Sequence, residues 1–232
     1  EINRVLTDSI SDLLFCTEES GVANLRREGT GEENVFLVGN VMIDTLLTNR
    51  ARADQSRILS ELQLEKRGYA VLTLHRPSNV DHLPTLKRIL TALLEIQKET
   101  PIVFPVHPRT RKILSSDSFR EKIRAMPGLR LVDPVGYLDF LKLMDSARLV
   151  LTDSGGIQEE TTILKVPCLT LRENTERPIT RLIGSNRVVG TDPLEIISAY
   201  RQIQEEKKDY PATPPLWDGQ AAVRIVKIIN EF

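Results

Sequence analysis

The chain has 232 residues, 41% hydrophobic and 27% charged, with 31 basic against 32 acidic residues and a formal net charge of −1. That length suits one large α/β domain, or one domain with part of another, and the even charge balance argues against a nucleic-acid groove or a polybasic membrane patch. The longest apolar runs are strand-sized and no signal peptide opens the chain, so the sequence predicts no transmembrane helix and a reducing cytoplasm as the default location.

In chain order, Glu1-Ile2-Asn3-Arg4 has no initiating methionine and no turn chemistry, as though entering midway through a helix, and is read as a fragment boundary. Cys16 and Cys168 sit in apolar runs and read as buried free thiols, with neither zinc-site nor disulfide spacing. Apolar runs predict strands at Leu13–Cys16, Val35–Val38, Tyr69–Leu74, Ile102–Val106, Leu129–Val132, Leu149–Thr152, Cys168–Leu171 and Arg187–Val189. Between them, amphipathic patterns predict helices at Val41–Leu62, Leu83–Glu99, Tyr137–Ser146, Ile157–Leu164 and Pro193–Lys207. Alternating strands and helices with near-continuous apolar strands imply a Rossmann-like, doubly wound α/β fold with a parallel sheet.

Gly39-Asn40 breaks the pattern, so residues 1–38 are expected to be the tail of one Rossmann-like domain and residues 39–210 a complete second one. The Pro-rich run Tyr210-Pro211-Ala212-Thr213-Pro214-Pro215 ends that second domain. A last segment, residues 211–232, carries an amphipathic helix from about Gly219 to Asn230.

Open parallel sheets bind ligands beyond the carboxyl ends of their strands. Those ends are polar here: His75-Arg76-Pro77-Ser78-Asn79, His107-Pro108-Arg109, Asp153-Ser154-Gly155-Gly156, and Arg172 through Pro178. Two of the three histidines lie on this edge, while His82, opening a helix, reads as a surface residue. At Ser154-Gly155-Gly156 a strand turns into a helix whose first amides have no partner, and two glycines let a diphosphate approach them. Glu160 follows Gly156 by four residues, one helical turn along, where its carboxylate can accept both hydroxyls of a ribose. The plainer alternative is a serine helix cap followed by two solvated glutamates.

Other edge residues carry similar pairs of readings. His75 fits either a site group or a strand-end histidine bonded to backbone, and Arg76 beside it suits a phosphate or carboxylate. His107, with Arg109, Arg111 and Lys112, forms a solvated basic turn or a wall of the site. Glu176-Arg177 reads as an exposed ion pair, or Arg177 as a phosphate ligand. Phe140 is most simply a core residue, with base stacking as the alternative.

Taken together, these segments resemble the non-hydrolysing UDP-N-acetylglucosamine 2-epimerases. The resemblance runs in order along Glu1-Ile2-Asn3-Arg4, Val38-Gly39-Asn40, Thr73-Leu74-His75-Arg76, Pro105-Val106-His107, Thr152 to Glu160, Thr175-Glu176-Arg177-Pro178 and Asp218-Gly219-Gln220-Ala221. It implies GT-B architecture, two Rossmann-like domains with a final helix returning to the first, here truncated at the N-terminus. It also implies reversible epimerisation of UDP-GlcNAc to UDP-ManNAc without a redox cofactor or metal. UDP is eliminated to a 2-acetamidoglucal intermediate and then added back.

Carried over by position, Ser154, Gly155 and Gly156 hold the diphosphate, Glu160 the ribose, Phe140 the uracil and Arg177 the phosphates, with Arg76 and His107 also at the substrate. His75 and Glu1 match the family's catalytic histidine and glutamate. Implied partners are the UDP-sugar, UDP and a second copy of the chain as a homodimer, with no nucleic acid and no membrane. Several family features are missing: the opening Gly-x-Arg-Pro-Glu segment with its lysine, and the acidic residues of the first domain. The 232-residue chain is therefore expected to bind UDP weakly with little or no turnover. His75-Arg76-Pro77-Ser78-Asn79 and His107-Pro108-Arg109 depart from the bacterial forms, which speaks against activation by a second substrate molecule. A hydrolysing epimerase, a glycosyltransferase of the same architecture and a non-catalytic nucleotide-sugar-binding module remain the competing readings.

Overall fold

The computed structural model describes residues 1–205 and 212–232. The expected domain boundary at 210/211, the start of the Pro-rich run and the expected helix end at Lys207 lie outside the described residues. The chain divides into two compact units, a larger one of residues Asn49–Ala212 and a smaller one that combines Glu1–Thr48 with Thr213–Phe232.

The larger unit is built on a six-stranded, all-parallel sheet. Its strands are β3 (Ala70–Thr73), β4 (Ile102–Pro105), β5 (Leu129–Val132), β6 (Leu149–Thr152), β7 (Cys168–Thr170) and β8 (Asn186–Val188), numbered after β1 (Leu14–Cys16) and β2 (Val35–Leu37) of the smaller unit. The spatial order β5-β4-β3-β6-β7-β8 is the doubly wound order of dinucleotide-binding Rossmann folds. Leu149, Val150 and Leu151 in β6 are each fully buried, as expected for a strand covered on both faces. The helix Leu83–Ile96 buries Leu86, Ile89, Leu90, Leu93 and Ile96 in the core, a helical spacing that puts one apolar stripe inward. The strand order reverses between β3 and β6. The crevice beyond their carboxyl ends is where such sheets take ligands.

In the smaller unit, β1 and β2 pair in parallel, Leu14 opposite Val35. Trp217 is buried and donates from Nε1 to the Thr17 carbonyl at 2.9 Å. The helix Ala221–Glu231 is started by a carboxylate from elsewhere in the chain. Asp44 accepts from Ala221 N at 3.2 Å and Ala222 N at 2.7 Å, satisfying amides that the helix cannot. Arg224, on the same helix, donates to the Val38 carbonyl at 3.0 Å. Gly39 has φ +88, and a Cβ there would collide with the Leu216 carbonyl, so both conformation and space require glycine.

Three helix expectations need correction: the helix expected to run from Leu83 to Glu99 ends at Ile96, with Gln97 as its C-cap residue. The expected helix Val41–Leu62 is two helices, Val41–Ala53 and Ile58–Glu61. Ser56 causes the break: its hydroxyl accepts from Ile58 N at 3.2 Å and donates to Asp139 at 2.5 Å, replacing the helical bonding pattern. The helix expected from Ile157 starts at Gly155. Cys16 and Cys168 are buried free thiols, with burial pushing the Cys168 thiol up to about 12. Among the described residues, no helix is long and apolar enough to cross a membrane.

Candidate nucleotide site

Thr73 and Thr152, the last residues of β3 and β6, face each other in register, with hydroxyls 2.6 Å apart. Just beyond them, Asp153 is fully buried. Its carboxylate accepts from His75 N at 3.1 Å, Arg76 N at 3.0 Å and Asn79 Nδ2 at 3.1 Å, and lies 2.8 Å from His75 Nδ1. A buried carboxylate is stable only with such donors, and here they tie the turn after β3 to the turn after β6. The short helix Pro77–Val80 starts from that tie, with Arg76 as its N-cap residue and Pro77 at a position that needs no amide. The His75 side chain is 58% exposed, so one edge of the ring is anchored while most of it stays accessible.

One residue past Asp153, the helix Gly155–Leu164 begins. Ser154 is its N-cap residue but makes no side-chain cap bond, and its amide is taken by Thr152 Oγ1 at 3.0 Å. The first-turn amides after it have no helical carbonyl to meet, and Ser154, Gly155 and Gly156 are all half-buried. A Cβ on Gly155 would come no nearer than 3.9 Å to Arg177 Cγ. Protein packing therefore does not demand this glycine.

The helix then buries two acids, Glu159 at 2% exposure and Glu160 at 6%, which overturns the alternative of a serine cap followed by solvated glutamates. Glu159 lies 2.7 Å from Arg177 Nε. Glu176 instead pairs with Arg172 at 2.9 Å and with Arg76 at 3.3 Å, so the exposed Glu176–Arg177 pair read from the sequence is not formed. Glu160 accepts from the Tyr137 hydroxyl at 3.2 Å. Burial, with the Glu159 charge adding to it against the Tyr137 hydrogen bond, raises the Glu160 carboxyl to about 7. Burial and the neighbouring Glu160 likewise raise the Tyr137 phenol to about 12.

Gln158, fully buried between these groups, braces the segment that carries Arg177. It accepts from Thr175 Oγ1 at 2.6 Å and Asn186 Nδ2 at 3.0 Å, and donates to the Ser154 carbonyl at 3.1 Å.

The structure thus gathers His75, Arg76, Ser154, Gly155, Gly156, Glu160 and Arg177 around the ends of β3 and β6. Phe140 is half-buried on the helix Tyr137–Ser146, three residues beyond Tyr137 and so on a neighbouring part of its surface. His107 follows the adjacent strand β4, is exposed, and accepts at Nδ1 from Arg109 N at 3.3 Å. Arg109 and Arg111 beside it pair with Asp81 at 2.8 Å and Asp133 at 2.9 Å. Glu1 belongs to the smaller unit, exposed and 2.9 Å from Arg4, whose guanidinium holds the Glu1 carboxyl below its usual value. Sequence reasoning missed Asp153, Glu159, Gln158 and Tyr137 as parts of the site. No local signal marked Gln158 and Glu159, because the buried side of this helix is itself mostly polar, with Glu160, Thr161 and Thr162 on it. Among the described residues, no cluster of three or more His, Cys, Asp or Glu side chains is suited to a metal ion.

Residues 1–230 match the family model described as UDP-N-acetylglucosamine 2-epimerase. A UDP-N-acetylglucosamine 2-epimerase of Methanocaldococcus jannaschii is 42% identical over 235 residues, which cover 99% of this chain and 64% of that protein. The crystal structure of the M. jannaschii UDP-GlcNAc 2-epimerase in complex with UDP-GlcNAc and UDP superposes with a TM-score of 0.90 at 41% identity, covering 100% of this chain and 64% of that one. The Neisseria meningitidis UDP-GlcNAc 2-epimerase bound to UDP-GlcNAc gives a TM-score of 0.86 at 30% identity, covering 100% and 65%. The chain therefore spans about two thirds, 64%, of the length of the first relatives it matches.

Proposed function

The chain belongs to the UDP-N-acetylglucosamine 2-epimerase family, and from that premise we propose that its larger unit grips the UDP portion of a UDP-linked amino sugar, in a protein that interconverts UDP-GlcNAc and UDP-ManNAc. The observation that carries this reading is the accessible start of the helix Gly155–Leu164 with a buried carboxylate, Glu160, one turn further in. The diphosphate accepts hydrogen bonds from the Ser154 hydroxyl and the amides of Gly155 and Gly156 and meets the positive end of the helix dipole. Arg177, beside Gly155, adds a fixed positive charge. Glu160 accepts the two ribose hydroxyls in its ionised form, and Phe140 flanks the base.

In the reaction, UDP leaves as the C2 proton is removed, and both return with C2 inverted. The charge that develops on the departing diphosphate falls on the same amides and Arg177. His75 is the proton-transferring group on this unit and Glu1 the second catalytic group. Support for the epimerase reading over a glycosyltransferase comes from the named relatives. Retention of UDP on the product separates it from a hydrolysing enzyme, which would release free ManNAc.

The test is calorimetric titration of UDP into the wild-type chain and into Glu160→Gln and Arg177→Lys. Lysine keeps a positive charge near Glu159 while losing the planar fork. Each substitution is expected to weaken UDP binding on the order of tenfold, the effect of one lost charge-assisted hydrogen bond. Unchanged affinity in both variants sinks the assignment.

A further inference from the structure

A neutral His75 ring can carry its proton on either nitrogen, and the groups around Asp153 decide which. We propose that Asp153 is a positioning residue: through His75 Nδ1 it holds the imidazole as the Nδ1–H tautomer, leaving Nε2 as the basic nitrogen offered to a ligand at the β3–β6 switch point. This rests on the reading of His75 as a site residue and deepens it by assigning the nitrogen that acts.

The geometry leaves little freedom. Asp153 is fully buried, and its Oδ2 accepts from His75 N at 3.1 Å, Arg76 N at 3.0 Å and Asn79 Nδ2 at 3.1 Å. Every one of these donors has its hydrogen fixed by an amide plane. Oδ1 accepts from His75 N at 3.2 Å and faces His75 Nδ1 at 2.8 Å. A carboxylate surrounded by donors has no proton to give, so the short contact to His75 requires the hydrogen on Nδ1. Neutral imidazole then has its lone pair on Nε2. The carboxylate also stabilises the imidazolium that forms when Nε2 takes a proton, while keeping the ring from turning.

His107 provides an internal contrast. Its Nδ1 accepts from Arg109 N at 3.3 Å, which demands a lone pair on Nδ1 and, in the neutral ring, the hydrogen on Nε2. Two histidines that follow adjacent strands are thus assigned opposite tautomers by their neighbours. A prediction for Asp153→Asn follows from the same donors. The amide oxygen of the new side chain must occupy the Oδ2 position, where three N–H groups converge. Its NH2 then points at His75 Nδ1, which must become an acceptor, and the ring proton moves to Nε2.

The experiment is nitrogen NMR on the uniformly 15N-labelled chain at about pH 8.5, above the ordinary histidine titration range. Only three histidines are present, so His75→Gln and His107→Gln variants assign the signals. The wild-type chain is expected to show His75 with a protonated Nδ1 and an unprotonated Nε2, in excess on the order of tenfold, the selectivity of one charge-assisted hydrogen bond. His107 is expected to show the reverse. Asp153→Asn should invert the His75 pattern without altering that of His107.

A wild-type His75 protonated on Nε2, or averaging freely between forms, overturns the proposal without needing any Asp153 variant to fold. So does a folded Asp153→Asn chain that keeps the Nδ1–H form. UDP titrated into the same sample keeps the two readings apart. Binding with the wrong tautomer ends this proposal and leaves the nucleotide site standing; the assigned tautomer with no UDP binding does the opposite.

Discussion

The two units reach order by different means. The larger unit buries a six-stranded parallel sheet on both faces, with strands and helices sharing one apolar cluster that runs from Ala70 to Ile203. The smaller unit has two short paired strands and a cluster of Leu14, Cys16, Val22 and Leu25. Its helices Ile2–Ser9 and Ala221–Glu231 leave Ile2, Leu6, Val223, Val226 and Ile229 exposed. Two paired strands are marginal by themselves. The smaller unit also buries Val38, Ile43, Leu46 and Trp217, and to that limited apolar area it adds single polar contacts: Trp217 to Thr17, Asp44 to the last helix, Arg224 to Val38. Apolar area is spread over many atoms and tolerates local error, whereas a polar clasp fails with the loss of one atom. The contrast bears on function, since every proposed site residue except Glu1 lies in the larger unit.

The largest expected effect tests whether the larger unit stands on its core. Leu151 is fully buried in β6, and Leu151→Ala should cost about 4 kcal/mol through lost burial and the cavity left behind. Urea unfolding followed by circular dichroism should register that loss. The chain has one tryptophan, Trp217, and it reports from the smaller unit. Its fluorescence transition should move much less. If both transitions shift together, the units unfold as one and the contrast drawn above is wrong.

The next effect comes from the polar edge of the same unit. The Glu160 carboxyl is raised from 4.5 to about 7, so the folded chain holds a proton there that the unfolded chain releases. The stabilisation relative to an ionised buried acid is complete below about pH 4.5 and is lost as pH rises through 7, a change of about 3 kcal/mol. Denaturation midpoints for the wild type against Glu160→Gln should diverge over that window, with the glutamine variant flatter. UDP affinity should change in the opposite direction: the ionised carboxylate is the better acceptor for ribose hydroxyls, so binding tightens above pH 7. A Glu160→Gln profile that parallels the wild type would remove Glu160 from both roles.

Most of the sheet was legible because its strands, β8 excepted, are short runs rich in branched or leucine side chains, a pattern set by near neighbours. Leu129–Val132 and Leu149–Thr152 match the expected bounds, as does the helix Tyr137–Ser146. Short helices were not legible. Pro77–Val80, Pro108–Leu114 and Pro178–Leu182 are each too brief to show a period, although each carries proline at a first-turn position. The break at Ser56 depends on Asp139, 83 residues away, which no local pattern contains.

The candidate site divides in the same way. Ser154, Gly155 and Gly156 stand out because they interrupt a strand-to-helix junction. Asp153 looked like part of that turn, and its grip on His75, 78 residues away, is a property of the fold. For Arg177 the sequence offered the neighbouring Glu176 as an ion-pair partner, beside a phosphate, because adjacency is visible in a sequence. The fold pairs it with Glu159 across 18 residues, at 2.7 Å.

The smaller unit should fail at single contacts. Gly39→Ala places a Cβ against the Leu216 carbonyl at a φ of +88, and should cost about 2 kcal/mol or more by strain alone. The loss should show in Trp217 fluorescence, because Leu216 is the residue before it. UDP affinity should stay within about twofold, as expected for a site independent of this turn.

Trp217→Phe is the finer probe. It keeps most of the ring's volume and removes one donor, leaving the Thr17 carbonyl without that bond. About 1 kcal/mol should go. With the fluorophore gone, the readout is hydrogen exchange at the amides of β1 and β2, which should speed about fivefold while those of β3 and β6 stay unchanged. Equal acceleration in both sheets would mean that the indole clasp supports the whole chain, and the division of labour between core and clasp would have to be abandoned.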